Sequence, residues 1–244
     1  MYTRHPSMRL GFLGPILSSS SAATSGNGST HPSSPLETAS SLLLGKHRVG
    51  RAIYLGADDA LEHMVEAWAR RLVGDDPTDD AAWRRAAQLA ANGVPEDIDA
   101  FVKGERMRLR LRSLESLPHR ILRTMEMVGD RIAVLIHDKE LLDEEDIFAA
   151  SLLIYGKSDV PLVRKIGGRF FITPGVLGPR GGICVLDDTG DELSIAVYNI
   201  EGEAVLHERL ALPRASRPRS GTAPQTGPGA QGGPPPSSVS GRPE

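Results

Sequence analysis

Past its midpoint the chain runs Leu152-Leu153-Ile154-Tyr155 and then breaks into Gly156-Lys157-Ser158-Asp159, followed by Val160-Pro161. A short apolar run bounded by turn formers predicts a buried strand. Pro161 cannot donate to a ladder, so the strand must end before it. The turn therefore sets a lysine, a hydroxyl and a carboxylate at the end of a core strand.

The same pattern recurs around it. Arg131 to Ile136 predicts a strand, with Val134, Leu135 and Ile136 continuously apolar. Val163 to Ile166 and Arg169 to Thr173 flank Gly167-Gly168, which suits a tight hairpin. Gly182 to Leu186 and Leu193 to Tyr198 form a second pair, and Glu203 to Arg209 adds an edge strand. Near the start, Leu10 to Leu13 predicts a strand, Leu36 to about Lys46 a helix, and Ala52 to Leu55 a strand that ends at Gly56. A strand, helix and strand in succession mark a layered α/β fold.

Helices occupy the middle. Leu61, Met64, Val65, Trp68 and Leu72 make an amphipathic stripe. Asp79 or Asp80 is the expected cap of a second helix carrying Trp83, Ala87 and Leu89. Pro95-Glu96-Asp97 opens a third, expected to continue to about Leu117 with a break at Gly104. One α/β domain is expected over 8–212, with a flexible loop over 18–35 and a helical region over 61–123. Residues 1–7 form a polar tail. Residues 213–244 are rich in Pro, Gly, Ser and Arg, and too poor in apolar side chains to offset their ordering entropy, so a disordered tail is expected.

Composition excludes several classes. With 40% hydrophobic residues over 244 positions, a sizeable core needs no disulfides. Cys184 is the only cysteine, so no disulfide framework or cysteine zinc site forms, and its apolar neighbours predict a buried core thiol. A net charge of -3 gives no drive toward nucleic acid or anionic membrane. No apolar stretch reaches the ~20 residues that span a bilayer. Arg4, Arg9 and Leu10 to Leu17 mimic a secretory leader, but Gly11, Gly14 and Pro15 break the run. A cytoplasmic protein is the expectation. Lys103, Arg106, Arg108, Arg110, Arg112, Arg120 and Arg123 make a locally basic stretch without interleaved aromatics. It reads as a solvated helix face rather than a nucleic-acid surface. Gly156-Lys157-Ser158 echoes the end of a phosphate-binding P-loop, but Ser151 stands where that loop needs its first glycine.

The order of elements and several short motifs resemble the calcineurin-like metallophosphoesterases, in particular their small single-domain phosphodiesterase branch. Asp146 to Leu162 is similar to that family's block of aspartate, hydrophobic strand and Gly-His-Thr-His-Val-Pro. Phe171-Ile172-Thr173-Pro174-Gly175-Val176 is similar to its Ile-Asn-Pro-Gly-Ser turn, and Pro179-Arg180-Gly181-Gly182 also matches. The resemblance weakens over 8–60 and disappears over about 74–120. It implies a layered αββα sandwich with a helical insert.

The family hydrolyses phosphoesters with paired divalent metals that activate a water and clamp the phosphate. Carried over position by position, the ligands are mostly missing. Pro15-Ile16-Leu17 stands where the resemblance implies Asp-x-His. Gly56 is followed by Ala57 in place of the metal-bridging aspartate, with Asp58 and Asp59 coming late. His137 keeps the histidine of a His-Gly motif, while Lys157 and Asp159 replace the two histidines of the last motif. A lysine ammonium at a metal-ligand position repels a cation. The expectation is a catalytically degenerate member with no metal cofactor and a binding or regulatory role. Asp58, His137, Lys157, Ser158 and Asp159 would line the former cleft and receive an anionic small molecule or a protein partner. The alternatives are a residual hydrolase with one divalent ion, such as manganese, at Asp58, His137 and Asp159, and an interaction protein working through the helical region or the tail. Exposed sheet edges leave a homo-oligomer open.

Overall fold

The computed structural model describes residues 8–16, 34–188 and 192–211. The chain divides into a unit spanning Met1–Pro213 and a second, Arg214–Glu244, that lies outside the described residues, as do the tails expected over 1–7 and 213–244. The loop expected over 18–35 lies outside them too, apart from its last two residues.

The expected strand-helix-strand unit opens the fold. Strand β1 (Arg9–Leu13) lies parallel to β2 (Arg51–Tyr54), and helix α1 (Pro35–Leu44) connects them. Ser34 caps α1 by accepting a hydrogen bond from the Glu37 amide at 3.2 Å, and Pro35 takes the first turn, where no amide is needed. Gly11 lets α1 settle on the sheet, since a Cβ there would lie 2.9 Å from a Leu43 methyl.

Helices α2 (Ala60–Val73), α3 (Asp79–Asn92) and α4 (Pro95–Leu111) follow. Two expectations need correction. Thr78, not Asp79 or Asp80, caps α3, accepting from the Ala81 amide at 3.3 Å. Helix α4 runs unbroken through Gly104 and stops at Leu111, because Leu114–Ser116 leaves it to pair with β2 as strand β3. Gly104 does not break the helix; it admits the Leu72 carbonyl of α2, 3.1 Å from where a Cβ would stand.

The basic stretch over 103–123 is mostly the solvated face expected, with Lys103, Arg106, Arg110, Arg112 and Arg120 exposed, and Arg108 is the exception. The Arg108 side chain is only 7% exposed and binds Glu105 at 2.6 Å and Asp79 at 2.8 Å. Arg110 donates to the Leu44 carbonyl, Arg112 pairs with Asp79, and Arg123 reaches Asp143 and Asp146.

The second half is strand-rich as expected, with three elements added. Strand β4 (Arg123–Val128) pairs antiparallel with β5 (Arg131–Ile136). A short 3-10 turn (Lys139–Leu141) and helix α5 (Glu144–Ala149) then precede β6 (Leu152–Tyr155). Helix α5 begins in a capping box between Asp143 and Asp146. Strands β7 (Leu162–Ile166) and β8 (Arg169–Thr173) form the expected hairpin, with Gly167 at φ +59 in its turn. Strands β9 (Ile183–Asp187), β10 (Leu193–Tyr198) and β11 (Ala204–Leu210) form an antiparallel meander.

Two sheets result, one ordered β11-β10-β9-β1-β2-β3 and the other β4-β5-β6-β8-β7. Alternating side chains divide the apolar residues among three layers. Leu10, Phe12 and Ile53 meet Leu135, Ile154 and Ile172 between the sheets. Leu13, Tyr54 and Ile183 face Leu36, Leu43 and Leu61 of the helices. Val134 and Leu153 pack under Ala150 on the outer face of the second sheet. The chain thus forms the layered αββα sandwich, with one helical layer much thicker than the other. Cys184 is a fully buried core residue, and burial pushes its thiol pKa up.

Candidate functional site at the strand ends

The parallel strands of both sheets finish at one edge of the sandwich. A Cβ on Gly156, just after β6, would lie 2.2 Å from the Leu55 carbonyl oxygen just after β2, so only glycine allows the two ends to abut. Gly14 meets Gly175 in the same way, its Cβ position lying 1.8 Å from the Gly175 oxygen.

His137 follows β5 at this junction. Its Nδ1 lies 2.8 Å from the Leu55 carbonyl. A carbonyl only accepts, so Nδ1 carries the proton, and in the neutral ring Nε2 is left as the acceptor. The Lys157 amide donates to the His137 carbonyl at 2.7 Å, and the Gly156 amide donates to Ile136 at 3.0 Å. The turn after β6 is thereby fastened to the end of β5.

The Lys157 ammonium pairs with the Asp138 carboxylate. This pair lowers the Asp138 pKa and raises that of Lys157. Asp138 also accepts from the Glu140 amide at 3.0 Å, which orients it. Ser158 donates its hydroxyl to the Val160 carbonyl at 2.9 Å. Asp159 is exposed at the same turn. Asp58 has a local duty: it accepts from the Tyr54 hydroxyl at 2.9 Å and from the Ala60 amide at 3.2 Å. Burial first, and the Asp58 carboxylate second, hold the Tyr54 phenol pKa high, so it stays a donor.

The structure therefore fastens the Lys157 backbone to that of His137 and pairs the Lys157 ammonium with Asp138. Sequence reading missed Asp138 as a site residue. Its signal was an acid directly after the candidate histidine, facing a lysine whose charge needs a counterion. Among the described residues, no group of three His, Cys, Asp or Glu side chains is arranged to hold a metal ion.

Neither a family model nor a curated protein matches the chain. Among solved structures, it is similar to a predicted phosphoesterase from Streptococcus pneumoniae at 11% identity, covering 85% of this chain and 99% of that one, with a TM-score of 0.45. It is also similar to vacuolar protein sorting 29 of Cryptosporidium parvum, at 13% identity over 84% of this chain and 98% of that one, TM-score 0.43. The Chaetomium thermophilum Vps29 matches at 16% identity over 83% and 97%, TM-score 0.40. Identities this low transfer no residue role or activity.

Proposed function

We propose that this chain is a metallophosphoesterase-like protein whose strand-end cleft binds an anionic group and no longer hydrolyses phosphoesters. The observation that carries the reading is the Lys157 ammonium at the strand ends, counterbalanced by Asp138, with the Lys157 backbone fastened to that of His137. A phosphate or carboxylate ligand would displace Asp138 from Lys157 and gain a charge-assisted hydrogen bond. Ala57 in place of an acid after Gly56, and Lys157 and Asp159 in place of histidines, support loss of the metal chemistry. The reading takes the protein to act in the cytoplasm. No described helix is long and apolar enough to cross a membrane.

The test is calorimetric titration of the full chain with inorganic phosphate. Lys157→Ala should abolish binding, and Asp138→Asn should strengthen it by freeing the lysine. In parallel, metal content and turnover of bis(p-nitrophenyl) phosphate with manganese are measured. Turnover that survives purification and vanishes in His137→Ala overturns the proposal.

One observation favours a residual metal-dependent hydrolase as a second reading. The bond from His137 Nδ1 to the Leu55 carbonyl leaves Nε2 as the acceptor, the orientation that metal-binding histidines use. Trp83, exposed on α3, favours an interaction role for the helical region instead. Partner capture that is lost in Trp83→Ala and kept in Lys157→Ala would select that reading.

A further inference from the structure

Four strands bound the two sheets, and three of them carry devices that discourage edge pairing. Strand β3 has only three residues. The pairing of β11 with β10 is interrupted by a bulge at Val197/Tyr198, and β11 carries His207, Glu208 and Arg209. Strand β7 starts directly after Pro161 and carries Arg164 and Lys165. Strand β4 differs. Its six residues hold an unbroken register with β5, contain no proline or lysine, and expose Met125 by 52% and Met127 by 57%. Among the described residues, no strand pairs with its other side.

The register fixes which backbone groups are free. Val128 and Arg131 flank the turn at Gly129 and Asp130, and the His137 amide donates to the Leu122 carbonyl at 2.9 Å. Hydrogen-bonded pairs alternate along an antiparallel ladder, so Thr124, Glu126 and Val128 bond to β5. The amides and carbonyls of Arg123, Met125 and Met127 face outward.

We infer that β4 pairs antiparallel with β4 of a second copy of this chain, about a two-fold axis at Met125. Met125 then opposes its counterpart, Arg123 opposes Met127, and Thr124 opposes Glu126. All three outward-facing residues find partners, giving about six backbone hydrogen bonds. No like charges stand directly opposite one another. The charges on β4 are already balanced within each copy, Arg123 by Asp143 and Asp146 and Glu126 by Arg51 at 2.8 Å. The two second sheets join into one, and the exposed methionines are buried against each other. A self-complementary strand of this kind makes a closed, isologous dimer.

Sedimentation of the full chain across a concentration series should show a monomer–dimer equilibrium. Met125→Lys places two lysines opposite one another and should weaken dimerisation by about tenfold or more. Circular dichroism of this variant should match the parent. A cysteine pair reads the register directly. Counterparts at 125 lie about 5.5 Å apart between Cα atoms, within disulfide reach. Counterparts at 127 lie about 13 Å apart. Under mild oxidation Met125→Cys should cross-link into dimers and Met127→Cys should not, with buried Cys184 common to both. A chain that stays monomeric at every concentration overturns the inference, including the case in which β4 captures only a foreign peptide. Equal cross-linking at 125 and 127, or undiminished dimerisation in Met125→Lys, overturns it as well.

Discussion

Helices α1 and α2 on the first sheet and the hairpin of α3 and α4 are neighbours held by different forces. The first pair buries Leu36, Leu43, Leu44, Leu61 and Met64 in a shared apolar layer with the sheet. Helix α3 buries only Ala81, and the buried residues of α4 include Glu105 and Arg108 beside Leu111. The hairpin is clasped by ion pairs: Arg85 with Glu105 at 2.7 Å, and Arg108 with both Glu105 and Asp79. Burial alone would raise the Glu105 carboxyl pKa, and Arg85 and Arg108 more than reverse this. Apolar burial is non-directional, whereas each charge-assisted hydrogen bond fixes a donor–acceptor geometry. The apolar layer thus holds α1 and α2 on the sheet, and the clasp sets α3 against α4.

The largest expected effect falls on the apolar side. Leu43 is fully buried against Gly11, so Leu43→Ala should cost about 2–5 kcal/mol in a denaturant melt and lower the whole transition. Breaking the clasp should cost less and act locally. Arg108→Met leaves Glu105 with Arg85 alone, an expected loss of about 2–3 kcal/mol. Hydrogen exchange should place that loss in α3 and α4 while β1 and β2 amides stay protected. The double variant Glu105→Met with Arg108→Met should recover most of it, because apolar side chains of similar volume replace a buried pair without desolvation cost. Exchange that rises uniformly in Arg108→Met would break the contrast.

Acid weakens the clasp. Arg112 and then Arg108 pull the Asp79 carboxyl down to about 2, below its ordinary value near 3.8. A carboxylate with a lowered folded pKa contributes stability that is complete above its unfolded pKa and fades as pH falls through the folded one. Protection of α3 should therefore decline between about pH 4 and pH 2. Asp79→Asn should remove that part of the pH dependence. A profile unchanged by the substitution would show that Asp79 holds nothing.

The same contrast explains what the sequence made legible. Apolar periodicity exposed the strand-helix-strand start and the stripe of α2, because burial of apolar groups follows the element's own repeat, while the turn residues Gly167-Gly168 marked the hairpin. Glu105 and Arg108, three residues apart, look like any solvated helical pair. Their burial depends on Asp79 and Arg85 arriving from another helix, which no local pattern encodes. Strand β3 was hidden because Leu114-Glu115-Ser116 directly follows a helix and is shorter than one period of a helical stripe. Helix α5 carried a readable signal, Asp143 three residues before Asp146, but Asp146 was assigned to the approach to β6. At the strand ends, His137 and Lys157 were visible as residues after core strands. Asp138 acquires its role only once β5 and β6 lie side by side.

The smallest expected effect tests how tightly the two helical regions are joined. Gly104 in α4 is the point of close approach to α2. Replacing a mid-helix glycine by alanine ordinarily gains about 1 kcal/mol in helix propensity. Here the new Cβ would stand 3.1 Å from the Leu72 carbonyl oxygen, a backbone atom that cannot rotate away, while Val73 at 3.6 Å is in ordinary contact. The crowding opposes the gain, and Gly104→Ala should leave stability within about 0.5 kcal/mol of the parent. Gly104→Val cannot fit without moving a helix and should cost about 1–3 kcal/mol. If Gly104→Ala instead stabilises the chain by the full propensity gain, α4 stands off from α2.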